Sequence, residues 1–230
     1  MKCVSVAPER EKSGFSEPAL DREERELIRS LEEEMRRAFR FFRNLGNGPA
    51  VSVFGSSRLP PGDPVCRMAR MFGESMGREG VRVLVGGHEG AMGATLEGAG
   101  AWGTALEWDP VDGKVHETTH SLIFRHLFLR KHFFLRNIRA VVLFPGGYGT
   151  MDELFEFLAL RQVDKWAGIP AICAETPERP FWRPFWNGLA PILKSASFLP
   201  EGSECPLDIE ADPGGLVVKV LEGIGKSVRK

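Results

Sequence analysis

The chain has 230 residues, 43% hydrophobic and 27% charged, a composition typical of one large globular domain. Its 30 Lys and Arg residues balance 31 Asp and Glu residues, which argues against a nucleic-acid-binding or polybasic membrane-binding surface. It has no apolar run of the roughly 20 residues that span a bilayer and no apolar signal region, so we expect a soluble, cytoplasmic protein.

The first 45 residues differ from the rest of the chain. We expect residues 1–18 to be disordered and residues 19–45 to form an amphipathic helix. Apolar residues recur in the helix at three- and four-residue steps: Leu27, Ile28, Leu31, Met35, Ala38, Phe39 and Phe42. Residues 1–45 carry ten positive and ten negative charges, which cancel. The helix is therefore predicted to pack on the domain or on a partner subunit instead of acting as a charged arm.

From residue 46 to residue 230 the pattern predicts one α/β domain. Short apolar runs predict strands at 51–54, 81–85, 104–108, 140–144 and 169–173. Helices are predicted at 64–79, 91–101, 120–137, from about 151 to 163, 181–194 and 215–224. Strands that are apolar on both faces and alternate with helices are typical of a Rossmann-like, doubly wound parallel sheet covered on both faces.

Three of the predicted strands end in turns rich in Gly or Ser, at 55–58, 86–90 and 145–150. A glycine turn that enters a helix exposes main-chain N–H groups at the positive end of the helix dipole, where phosphate binds. One such turn could merely be tight, but three on one sheet edge favour a phosphorylated ligand. A G-x-x-x-x-G-K-[ST] loop is absent, and residues 147–152 lack the third glycine of G-x-G-x-x-G. A mononucleotide or a sugar phosphate is therefore favoured.

The segment from Pro145 to Glu153 reads PGGYGTMDE and resembles the P-G-G-x-G-T-x-x-E motif of the LOG ("Lonely Guy") family. These proteins are cytokinin riboside 5′-monophosphate phosphoribohydrolases that were long called lysine decarboxylases. The pair Arg130-Lys131 stands where the family has its Arg-Lys pair, and residues 86–92 (GGHEGAM) and 53–58 (VFGSSR) resemble its other two turns. The similarity spans about residues 50–195 and is nearer the longer bacterial branch of the family.

The resemblance implies hydrolysis of the N-glycosidic bond of a nucleoside 5′-monophosphate to free base and ribose 5-phosphate. It implies no cofactor and no metal, and it implies a homodimer. Arg130 and Glu153 would be the catalytic pair, with the carboxylate stabilising a cationic sugar and activating water. The substrate-binding residues implied in the same way are Lys131, Gly146, Gly147, Tyr148, Gly149, Thr150, Gly55, Ser56 and Gly87.

Other interpretations of these residues stay open. Thr150-x-x-Glu153 is also the spacing of a capping box, in which Glu153 would only satisfy a main-chain N–H group. A non-catalytic nucleotide-binding or carrier protein on the same fold is the main rival function. A lysine decarboxylase is disfavoured because nothing marks a pyridoxal-phosphate lysine. His88, Ala159 and residues 107–112 depart from the family pattern, so no base-binding residue is assigned.

Three further groups of residues carry weaker signals. The four thiols lack C-x-x-C spacing and are expected to be free: Cys3, Cys66, Cys173 and Cys205. Four histidines lack the acidic ligands of a metal site, which is therefore disfavoured: His116, His120, His126 and His132. The aromatic run at 181–186 is predicted to pack in the core or at a subunit interface instead of stacking on a base.

Overall fold

The computed structural model describes residues 19–108, 120–136, 138–162, 168–198 and 207–225. The predicted disorder of residues 1–18 lies outside this part of the chain, as do Cys3, Cys205, His116 and residues 109–112 of the divergent segment.

The described residues form one sheet of seven parallel strands. The strands are β1 (Ala50–Phe54), β2 (Arg82–Val85), β3 (Gly103–Trp108), β4 (Ser121–Phe124), β5 (Ile138–Leu143), β6 (Ala171–Ala174) and β7 (Asp208–Glu210). Their order is β4-β3-β2-β1-β5-β6-β7, so the chain builds outward from β1 in one direction and then returns to its other side. The predicted doubly wound fold is confirmed, with its topological switch point between β1 and β5.

Helices cover both faces of the sheet. They are α1 (Arg22–Asn44), α2 (Pro64–Arg78), α3 (Gly90–Ala99), α4 (Leu127–Leu135), α5 (Tyr148–Gln162), α6 (Trp182–Ser195) and α7 (Pro213–Gly223). Aspartates begin three of them: the side chains of Asp21, Asp63 and Asp212 accept main-chain N–H groups in the first turns of α1, α2 and α7. Proline follows the cap in α2 and α7, as the sequence predicted for Pro64.

Two strands were not predicted. The helix expected over 120–137 is wrong in its first part, where Ser121–Phe124 forms β4 and the helix begins only at Leu127. Leu122 and Phe124 are buried while Ile123 is exposed, but this two-residue alternation is too short to distinguish a strand from the start of a helix. Strand β7 was missed because it has three residues, at the opposite edge of the sheet.

Two apolar layers flank the sheet. One lies under α2, α3 and α7, and the other, which holds most of the large aromatic side chains, lies under α1, α4, α5 and α6. Helix α1 packs on the second layer, where Phe42 stacks on Phe133 at 5.3 Å between ring centroids and Ala38 is fully buried. The expected packing of α1 therefore holds for its C-terminal half. Leu27 and Ile28 are half exposed in the single chain, so for them packing on a partner subunit stays a prediction.

Two of the four cysteines and the aromatic run at 181–186 lie within the described residues. Cys66 is a buried free thiol, Cys173 is also buried, and burial raises the pKa of Cys66. Trp182 is fully buried and donates its indole N–H to the main-chain oxygen of Leu143, so the run at 181–186 packs in the core as predicted. No described helix combines the length and the apolar character that crossing a membrane requires.

Candidate active site

The three glycine turns meet at the carboxyl edge of the sheet, because β2, β1 and β5 are adjacent and parallel. Ser56 links the turns through its main chain. Its N–H group donates to the carbonyl of Pro145 at 3.0 Å, and its carbonyl accepts from the N–H group of Ala91 at 3.0 Å. The switch point therefore holds one continuous main-chain surface built from all three turns.

Two glycines keep this surface closely packed. A Cβ atom on Gly55 would lie 3.0 Å from the Cβ atoms of Ala91 and Phe144. A Cβ atom on Gly146 would overlap the hydroxyl of Thr150. By contrast, Gly147 and Gly149 face open space. The turn after β5 is thus packed at its base and open where helix α5 begins.

The first turn of α5 offers unused main-chain donors. The N–H group of Met151 donates to the carbonyl of Gly147 at 3.0 Å, so Gly147 occupies the cap position and α5 begins at Tyr148. The N–H groups of Tyr148, Gly149 and Thr150 precede that first intrahelical bond and have no partner within the helix. The side chain of Tyr148 is 96% exposed. Main-chain donors at the positive end of a helix are the groups that anions bind in proteins.

The capping-box interpretation of Thr150 and Glu153 is wrong. Thr150 is the third residue of α5 and not the residue before it, so its hydroxyl cannot cap the helix start. Glu153 lies one turn further inside the helix, where main-chain N–H groups are already bonded within the helix. Its side chain is consequently free for another role.

Glu153 is a buried carboxyl group with an unmet hydrogen-bonding capacity. It is 7% exposed, and its Oε2 atom has no hydrogen-bond partner among the described residues. The pKa of Glu153 is raised to about 7, mainly by burial and to a lesser extent by the neighbouring carboxylates of Glu156 and Asp152. The positive charges of Lys131 and Arg130 act in the opposite direction. A carboxyl group with a pKa near neutrality can exchange a proton during a reaction.

Arg130 lies on α4 and reaches the ends of two strands. Its Nε atom donates to the carbonyl of Leu106 at 2.8 Å, and its Nη2 atom donates to the carbonyl of Gly86 at 2.7 Å. A Cβ atom at Gly86 would overlap Nη2, so a side chain there would displace the guanidinium. These two main-chain oxygens therefore hold the guanidinium of Arg130 in place.

Lys131 connects α4 to α5. Its Nζ atom lies 2.8 Å from Oδ2 of Asp152 and 3.0 Å from Oε2 of Glu156. Burial lowers the pKa of Lys131, but these ion pairs outweigh burial and raise the pKa overall. Lys131 therefore positions the helix turn that carries Glu153 in addition to supplying positive charge.

The sequence did not predict that His88 and Glu107 form a pair. Nε2 of His88 lies 3.3 Å from Oε1 of Glu107, and both side chains are largely buried. His88 also lines a cavity of about 690 Å³ on the α2–α3 face, next to Ser57 and Gly90. Gly87 tolerates a side chain, since its Cβ would meet only the methyl group of Met92 at 3.6 Å. His88 and Glu107 are too far apart in sequence for spacing to have revealed the pair.

The described histidines do not build a metal centre. No set of three or more His, Cys, Asp or Glu side chains is placed to hold a metal ion in the ranges that the structure covers. His126 instead contacts Glu34 of α1, with Nδ1 3.0 Å from Oε2.

A family model described as "Possible lysine decarboxylase" matches residues 86–205, which is more than half of the chain. The chain belongs to this family, the LOG family. The matched segment contains Arg130, Glu153 and two of the three glycine turns. Curated protein sequences give no match.

Solved structures of similar fold are proteins with different ligands. A molybdenum cofactor binding protein from Rippkaea orientalis superposes with a TM-score of 0.55 at 18% identity, over 79% of this chain and 99% of that one. The molybdenum cofactor carrier protein from Chlamydomonas reinhardtii gives 0.52 at 18% identity, over 78% and 99%. DNA processing protein A from Helicobacter pylori gives 0.50 at 13% identity, over 77% and 82%. At these identities the likeness shows the fold alone.

Proposed function

We propose that this LOG-family protein hydrolyses the N-glycosidic bond of a nucleoside 5′-monophosphate, releasing the base and ribose 5-phosphate. The observation that carries the proposal is the carboxyl group of Glu153, which is buried one turn inside α5 and whose Oε2 atom has no hydrogen-bond partner in the described part of the chain. A structural glutamate would be expected to have its oxygens satisfied.

The 5′-phosphate would bind the N–H groups at the start of α5, with the open backbone of Gly147 and Gly149 allowing close approach. The ribose would then extend toward Glu153. In the reaction the C1′–N bond breaks with its electron pair passing to the base, and a water oxygen bonds to C1′ while Glu153 accepts the proton of that water. The negative carboxylate also stabilises the cationic sugar that forms on the way.

Arg130 and Lys131 set the electrostatic conditions for this step. Their charges favour the ionised form of Glu153, whereas burial favours the neutral form. This opposition leaves the carboxyl group able to hold or release a proton near neutral pH. Arg130 is buried enough that burial lowers its own pKa, and two main-chain oxygens hold its guanidinium in place.

A binding protein without turnover is the second candidate. The solved structures of similar fold include a molybdenum cofactor carrier protein and a molybdenum cofactor binding protein, so a carrier role is compatible with this fold. The main-chain bonds of Arg130 would serve such a role equally well. In that case substitution of Glu153 would leave the affinity for the ligand unchanged, and the protein would release no base.

The test is incubation of the purified protein with a panel of nucleoside 5′-monophosphates and the matching nucleosides, with chromatographic detection of free base. We expect base release from at least one monophosphate and none from its nucleoside. Glu153→Gln is the inactive control, and Glu33→Gln, at an exposed glutamate of α1, is the active one. Tight binding of monophosphates without base release would favour the carrier. Size-exclusion chromatography of the same sample tests the proposed homodimer.

A further inference from the structure

Helix α1 places a charged side chain on its packed face. Glu34 is 5% exposed and falls in register with the buried stripe, three residues after Leu31 and four before Ala38. A buried carboxylate without hydrogen bonds is costly, so its partners decide what it does. Those partners all lie on the segment that begins α4.

The carboxylate of Glu34 binds the two residues that immediately precede helix α4. The N–H group of Arg125 lies 3.2 Å from Oε1 and 3.1 Å from Oε2, and the N–H group of His126 lies 3.2 Å from Oε1. The Nδ1 atom of the same histidine lies 3.0 Å from Oε2. His126 is the residue before α4, and its own side chain makes no cap bond to the helix. Glu34 thus supplies the negative charge that a helix start favours.

The segment that Glu34 binds leads directly to the site. The carbonyl of His126 accepts from the N–H group of Arg130 at 3.2 Å, which fixes the first turn of α4 to the residue that Glu34 holds. Arg130 then reaches Leu106 and Gly86 with its guanidinium. A continuous chain of hydrogen bonds runs from α1 to the ends of β2 and β3.

We propose that Glu34 is a positioning residue of the site: through the N-terminal turn of α4 it sets where the Arg130 guanidinium lies, so that the N-terminal helix is part of the catalytic machinery. The kinetic half of this inference rests on the proposed function. Its structural half, the ordering of α4, does not.

Glu34→Gln is the sharpest test. The substitution keeps the volume of the side chain but replaces one oxygen by an NH2 group. Each oxygen of Glu34 accepts from two donors, so that NH2 group would face donors whichever oxygen it replaces. Glu33→Gln, on the exposed side of the same helix, makes the same charge change and is the matched control. We expect Glu34→Gln to lower kcat by roughly tenfold to a hundredfold, as a misplaced site residue does, with a much smaller change in KM. Glu33→Gln should match the unmodified protein.

A double-mutant cycle with Arg130→Lys separates positioning from general destabilisation. If Glu34 acts through Arg130, the effect of Glu34→Gln on kcat should largely disappear in the Arg130→Lys background. A full additive effect in that background would overturn the proposal, and so would an unchanged kcat in Glu34→Gln.

Hydrogen exchange makes the structural half independent of turnover. Amide groups in the peptide covering Leu127–Leu135 should exchange faster in Glu34→Gln than in Glu33→Gln, while the peptide covering Tyr148–Gln162 stays unchanged. Equal exchange of α4 in the two variants would overturn the inference. Absence of base release by the unmodified protein would instead overturn the proposed function, leaving the exchange result to decide on Glu34.

Discussion

The starts of α4 and α5 each have a buried glutamate nearby, and the two glutamates are treated in opposite ways. Glu34, beside α4, is 5% exposed and has hydrogen-bond donors on both oxygens. Glu153, inside α5, is 7% exposed and has an Oε2 atom with no hydrogen-bond partner in the described chain. The two carboxylates are thus buried to nearly the same degree, and they differ in whether both of their oxygens have hydrogen-bond partners.

The difference follows from where each carboxylate lies relative to a helix start. Glu34 lies beside the start of α4, whereas Glu153 lies one turn inside α5. Only the first few N–H groups of a helix lack intrahelical partners, so a carboxylate placed at the start finds donors and one placed a turn further in does not. Glu175 repeats the arrangement of Glu34, since its Oε2 accepts the N–H groups of Phe181 and Trp182 where α6 begins. Glu34 and Glu175 thus accept main-chain N–H groups at helix starts, whereas Oε2 of Glu153 has no hydrogen-bond partner among the described residues.

The largest expected effect is on the reaction rate. Glu153→Gln should retain nucleotide binding yet lose roughly 10²–10⁴ in kcat, the range for removal of an acid–base group. Steady-state base release with AMP-type substrates measures this loss. Unchanged turnover would show that Glu153 is not a catalytic residue. The two glutamates would then not differ in function.

The next effect is on the free energy of unfolding, which we expect to change in opposite directions when Glu153 and Glu34 are substituted. The pKa of Glu153 is raised in the folded state, so the folded protein loses stability as pH rises from about 4.5 through about 7. Glu153→Gln should remove this penalty and stabilise the protein by about 3 kcal/mol above pH 7, but by less than about 1 kcal/mol at pH 5. Glu34→Gln should instead destabilise it, by about 2 kcal/mol at pH 8.

Denaturant unfolding of both variants at pH 5 and pH 8 gives the two signs in one experiment. A loss of stability in Glu153→Gln at pH 8 would show that its carboxylate is satisfied like that of Glu34. The distinction between the two helix starts would then fail.

A smaller effect separates the packed glycine from the open one in the turn after β5. Gly146→Ala should cost about 1–3 kcal/mol of stability because the added methyl group overlaps Thr150. Gly147→Ala should change stability by less than about 0.5 kcal/mol, since its Cβ would point into open space. Thermal unfolding of the two variants side by side checks this difference, and equal losses would contradict the close packing of the turn.

The smallest expected effect concerns the phosphate itself. AMP should bind at least about tenfold more tightly than adenosine, because one charge-assisted site at the start of α5 distinguishes them. Calorimetry at low salt measures both affinities. If they are equal, the glycines only shape the turn.

The alternation of strands and helices and the three glycine turns were predictable from sequence because buried parallel strands are apolar throughout and glycines mark their ends. The strand at 121–124 was not, since four residues at a sheet edge carry too little periodicity. Arg130 and Glu153 came from the family motif, but the bonds of Arg130 to Leu106 and Gly86 depend on tertiary packing. Glu34 did leave a signal, a charge in register with the apolar stripe of α1, which the helix pattern alone could not interpret.

The most direct test of the account is a titration of the Glu153 side-chain carboxyl group by ¹³C NMR, with the resonance assigned by its absence in Glu153→Gln. We expect a midpoint near pH 7, because the group is buried and Oε2 has no hydrogen-bond partner among the residues that the structure describes. A midpoint at or below the ordinary glutamate value of about 4.3 would show a satisfied carboxylate and contradict the assignment of Glu153 to proton transfer.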